Sequence, residues 1–95
     1  MELHNTIKLM TSEDYKERFI AEYLQTKIRY EKLKDFCNRI EVARINGTEE
    51  PKHDCHLYFL QEQQSAMGKY LHILELRAIV EEIKLEEYLW QKQSH

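Results

Sequence analysis

The sequence predicts an all-α protein: a long antiparallel two-helix hairpin with a short N-terminal arm, assembling into a homo-oligomeric helical bundle. Three observations carry that prediction. Two glycines and one proline in 95 residues leave few interruptions, which favours long helices over a loop-rich or all-β fold. Apolar residues recur in two heptad seams, the pattern of helices packed side by side. A short polar stretch holding Pro51 separates the seams. The length allows one domain, divided into an arm over 1–11, a hairpin over 12–91 and a tail over 92–95.

The arm contains Ile7-Lys8-Leu9-Met10, whose periodicity fits either a short strand or a segment docking on a neighbour. Helix one is predicted over 12–45. Thr11 or Ser12 offers a hydroxyl to its first free N–H groups, and Glu13 and Asp14 suit its positive end. Its seam runs Phe19, Tyr23, Thr26, Tyr30, Leu33, Cys37, Ile40, and Asn46-Gly47 ends it, because glycine adopts the left-handed turn that closes a helix. The loop spans 46–54, with Asp54 as the expected cap of helix two. Helix two is predicted over 55–91, with a seam at Leu57, Leu60, Gln64, Met67, Leu71, Leu74, Ala78, Glu81 and Leu85. A short loop folds two such helices antiparallel, pairing positions whose numbers sum to roughly 100. Leu33 then faces Met67, and Tyr30 lies near Tyr70.

Helix two is apolar on more sides than one partner covers. Ile73, Leu76, Ile79, Val80 and Ile83 are therefore expected at an interface with other copies of the chain or with a partner protein. Gly68, with Ser65 and Ala66 beside it, suits a close backbone approach.

Composition narrows the chemistry. Residues 1–47 carry nine Lys/Arg against eight Asp/Glu, and residues 48–95 carry five against nine. That balance does not suit duplex nucleic acid, which rewards many basic residues on one face. No apolar run approaches the roughly 18 residues of a membrane span, and the start lacks a secretion signal. Cys37 and Cys55 form no disulfide framework, so the expectation is a reduced, cytoplasmic protein. His53, Cys55 and His56 cluster at the turn, but without the paired spacing of zinc modules. They read as incidental to a capped helix start, so neither a metal nor a cofactor is expected. Acids spread along helix faces, with no phosphate loop, predict no enzyme and no catalytic residue.

Basic and aromatic residues are more informative. Lys27, Arg29, Lys32, Lys34 and Arg39 fall close together near Tyr23, Tyr30 and Tyr70. Such groups neutralise phosphates and stack on bases, or else pair with acids one turn away. Arg77 sits among apolar residues and needs either an acid, Glu22 or Glu81, or an anionic ligand.

The stretch Asp14-Tyr15-Lys16-Glu17-Arg18-Phe19 with Glu31-Lys32-Leu33, and the later Leu60-Gln61-Glu62-Gln63, Ala66-Met67, Lys69-Tyr70 and Ile73-Leu74-Glu75-Leu76-Arg77, resemble small helical bacteriophage proteins of a crAss-like-phage-related family. The resemblance covers about 14–83. In size, hairpin and assembly the chain is also similar to phage anti-CBASS sponges, which trap nucleotide immune signals without cleaving them. What these resemblances imply is a phage anti-defence protein in the host bacterial cytoplasm. It would sequester a cyclic dinucleotide or ADP-ribose derivative in basic and aromatic pockets at subunit interfaces. The chain has no match to the sponges' binding motif, so no binding residue carries over; the residues assigned to the pocket, from the basic and aromatic pattern of this sequence, are Arg77, Lys69, Tyr70, Lys27 and Tyr30. The alternatives are a module that inhibits a host protein through its apolar helix face, and a structural phage protein.

Overall fold

The computed structural model describes residues 3–88; the tail 92–95 and the end of the predicted second helix, 89–91, lie outside the described residues. A 3-10 turn over Leu3–Thr6 leads into α1 (Ile7–Met10), then α2 (Tyr15–Asn46) and α3 (Leu57–Val80). The two long helices pack against each other as a hairpin, and no strand occurs among the described residues.

The arm is not a strand: its described residues are helical and pack on α2 of the same chain. The buried Thr6 hydroxyl donates to the Leu3 carbonyl at 2.6 Å and accepts from the Gln25 amide at 2.7 Å. Both hydroxyl functions are thereby satisfied, as a buried polar group requires.

Helix α2 starts three residues later than its expected bound. Its cap is Asp14, whose carboxylate accepts from the Lys16 N–H at 2.9 Å. Ser12 acts just upstream, accepting from the Asp14 N–H at 3.1 Å and donating to the Glu17 carboxylate. At its other end Gly47 has φ 69°, and the Thr48 N–H reaches back to the Ala43 carbonyl at 2.9 Å. Helix α3 is capped by His56, whose ring nitrogen accepts from the Tyr58 N–H at 3.0 Å, and not by Asp54.

The seams meet close to the expected register. Tyr23 bonds Glu75, Tyr30 touches Gly68, and Gln61 bonds Glu41. The core falls into two clusters. One joins Phe19, Ile20, Tyr23, Leu24, Leu71, Leu74, Ala78, Ile83 and Leu85; the other, toward the loop, joins Cys37, Ile40 and Leu57.

The largest departure is the end of α3. The helix stops at Val80 instead of running to 91. Glu82 takes φ 57°, and the Ile83 and Glu82 N–H groups bond the Ala78 and Ile79 carbonyls at 2.8 and 3.3 Å. This is the Schellman closure of a helix, formed here without glycine. A left-handed non-glycine residue costs about 1–2 kcal/mol. Burying Ile83 and Leu85 against the first cluster returns about 1.5–3 kcal/mol each, so the turn wins. Ile83 is accordingly part of the chain's own core, at 6% exposure, and does not serve an interface. Glu82→Gly is expected to relieve the backbone strain and stabilise the fold by about 1 kcal/mol, read as a higher urea midpoint.

Candidate functional site

Between the two core clusters the facing residues are small or polar, and the helices leave a groove of about 960 Å³. Gln64 stands between Leu60 and Met67 in a seam that is apolar from Leu57 to Ala78 at all its other positions. Gly68 lets the edge of Tyr30 approach the helix axis; a Cβ there would lie 3.3 Å from the Tyr30 ring. The α2 wall is Tyr30, Cys37, Asn38 and Glu41, and the α3 wall runs from Gln61 through Ser65, Gly68 and Lys69 to His72 and Ile73. Gln61 donates its amide to the Glu41 carboxylate across one end.

The groove therefore offers three amides, two hydroxyls, the Tyr30 and His72 rings, the Glu41 carboxylate and one lysine. Amides and hydroxyls both donate and accept, the Tyr30 ring supplies a stacking surface, and the groove carries one charge of each sign, Lys69 and the Glu41 carboxylate that Gln61 already engages. Burial pushes the Cys37 thiol up from its ordinary range, and the Glu41 carboxylate adds to the effect. The sulfur is thus held as the thiol, which is a poor nucleophile.

Of the residues assigned to the pocket from sequence, Tyr30 and Lys69 meet in this groove. Lys27 instead pairs with Glu31 at 3.2 Å, and Arg39 likewise with Asp35 at 3.1 Å, the one-turn pairing available to any helix face. Tyr70 is exposed outside the groove. Arg77 has its structural partner: its Nε lies 2.9 Å from Glu81, and its guanidinium sits 4.8 Å above the Phe19 ring. A half-exposed arginine held this way balances its charge within one chain. Sequence reasoning missed Asn38, Gln61, Gln64, Ser65 and His72 because neutral polar side chains carry no charge signal. Gln64 within an apolar seam was the available clue.

The turn is organised by charge and holds no metal cluster; among the described residues no group of three or more His, Cys, Asp or Glu side chains is placed to hold a metal ion. Glu50 accepts from Arg44 and from His53, each at 3.1 Å, while the other His53 nitrogen contacts the Cys55 carbonyl at 2.8 Å. The Cys55 carbonyl, then Glu50, raise the His53 pKa above its ordinary 6.5. His53 and then Arg44 lower that of Glu50 below its ordinary 4.5. The Glu50 contribution is complete above 4.5 and lost as pH falls through its lowered pKa. The His53 contribution is complete below 6.5 and lost as pH rises through its raised pKa. Thermal stability is therefore expected to be highest between about pH 4.5 and 6.5, with the alkaline decline reduced in His53→Gln. Melting curves across pH for both proteins check this.

No helix among the described residues is long and apolar enough to cross a membrane. A family model described as Sequestin matches residues 13–79. The match takes in nearly all of α2 and α3 and with them every residue of the groove. No curated protein and no solved structure matches the chain.

Proposed function

The chain belongs to the Sequestin family, and on that premise we propose that it binds and sequesters a small nucleotide-type signal without cleaving it. The family's name denotes sequestration. The observation that carries the reading is the groove in which Tyr30, neutral amides and Lys69 stand together. A base stacks on an aromatic side chain and presents edges that amides match, while an ammonium group favours a phosphate. This combination suits a cyclic dinucleotide or an ADP-ribose derivative better than a purely ionic ligand. In a phage-infected bacterium such capture would silence a defence pathway by holding its messenger below the effector's threshold. The protein acts as a homo-oligomer, so that several signals are held by one assembly.

A second reading, a module that inhibits a host protein, is favoured by one observation: α3 exposes Ile73, Leu76, Ile79 and Val80. The two readings separate in a single experiment. The purified protein is incubated with cyclic di-AMP, cyclic di-GMP, ADP-ribose or cyclic ADP-ribose, its melting temperature is measured, and the ligand is recovered after heat release. Sequestration predicts a concentration-dependent rise for one class, by mass action, with the ligand recovered intact. No shift with any of them, or a cleaved ligand, contradicts it.

A further inference from the structure

Helix α3 carries a second heptad stripe, on the side away from its seam with α2. Glu62, Ala66, Lys69, Ile73, Leu76 and Val80 follow at alternating gaps of four and three, and all are exposed. Ile73 and Leu76 are about half exposed, and Val80 is 81% exposed. Its C-terminal half, Ile73, Leu76 and Val80, is an apolar strip facing water, the feature by which helices pair. We propose that a second copy of this chain packs its α3 antiparallel on this stripe and closes the outer rim of the groove.

Charge selects the occupant and its direction. Lys69 lies toward the start of the stripe, while Glu81 and Glu82 flank its end. A two-fold axis midway between Ile73 and Leu76 sets Ile73 against Leu76 of the partner subunit. It also brings Lys69 alongside Val80 of the partner subunit, its stem on the valine, with the exposed Glu82 of the partner subunit, and not the Arg77-paired Glu81, left as the acid nearest the ammonium. A parallel pair would instead place Lys69 against Lys69 of the partner subunit, a like-charge contact that opposes association. The stripe is thus complementary to itself in one orientation, as an isologous dimer requires.

The groove and the stripe share residues. Lys69 and Ile73 line the groove and belong to the stripe, so the partner helix runs along the groove's open rim. The dimer stands on the stripe alone; its role in completing the ligand site rests on the sequestration reading above.

The test uses the full chain. Sedimentation analysis of the unliganded protein is expected to give twice the 11.6 kDa chain mass. Leu76→Glu is expected to give a monomer with an unchanged helical spectrum, since Leu76 touches solvent in the single chain. In a Cys55→Ser background, Ile73→Cys and Leu76→Cys proteins are oxidised separately and mixed. The antiparallel pairing predicts that the mixed disulfide dominates. Homodimeric disulfides from each protein alone would indicate parallel packing and overturn the orientation. A wild-type monomer at micromolar concentration, or a Leu76→Glu dimer, would overturn the proposal, the monomer leaving the face to a different protein. Binding of cyclic ADP-ribose and cyclic di-GMP to both forms then separates the two claims. Weaker binding by the Leu76→Glu monomer supports completion of the site, and equal binding overturns it. A wild-type dimer that binds neither probe would keep the dimer and count against sequestration.

Discussion

Tyr23→Ala is expected to unfold most of the protein. Tyr23 is 2% exposed and central to the first core cluster, and its hydroxyl donates to Glu75 on α3 at 2.7 Å. Truncating a buried aromatic side chain to alanine costs about 3–5 kcal/mol. Domains are stable by only about 5–15 kcal/mol, and short chains sit at the low end. Urea titration followed by circular dichroism should show the loss; a change under about 1 kcal/mol would contradict the packing described. Tyr23→Phe isolates the hydrogen bond. A bond to a charged acceptor is worth about 1.5–3 kcal/mol when shielded, and because Glu75 is exposed the lower end applies. Burial first, then Glu75, push the Tyr23 phenol far above its ordinary value of 10. The phenol therefore stays protonated and able to donate at alkaline pH.

The second large effect falls on ligand affinity. Tyr30→Ala is expected to weaken capture by about 1–3 kcal/mol, the measured worth of one base–aromatic stack, or roughly 5- to 150-fold in Kd. Tyr30→Leu keeps bulk against Gly68 while removing the ring, so a loss in both variants assigns the effect to stacking. Arg77→Ala serves as the control. Its guanidinium is engaged by Phe19 and Glu81 and lies outside the groove, so affinity should hold. Calorimetry with the responding nucleotide checks all three. The sequence alone placed Arg77 in the pocket, and abolished binding in Arg77→Ala would restore that assignment.

The hairpin was legible because heptad spacing is a direct record of which side chains face a partner helix. Leu57, Leu71, Leu74 and Ala78 in one seam, and Phe19, Tyr23, Cys37 and Ile40 in the other, are all buried. The end of α3 was not legible. Leu85 continues the seam spacing, and Glu81-Glu82 offers no glycine, yet the left-handed turn at Glu82 brings Ile83 and Leu85 back onto the same cluster by another route. Periodicity records which residues are buried and is silent on whether the backbone between them stays helical.

The site divides the same way. Tyr30 and Lys69 stand out in the sequence because aromatic and cationic residues announce themselves, and both line the groove. Lys27 and Arg77 announced themselves equally and proved to be engaged with Glu31 and Glu81. The amides of Asn38, Gln61 and Gln64 became visible only when two helices were set side by side, since a groove is a property of the pair and not of either strip of sequence.

Native mass spectrometry of the purified protein, before and after addition of cyclic dinucleotides and ADP-ribose derivatives, tests the central claim most directly. Sequestration predicts a defined assembly that takes up whole-number additions of one ligand class and returns that ligand with its mass unchanged. An assembly that ignores the whole panel, or a released ligand whose mass has changed, would contradict it.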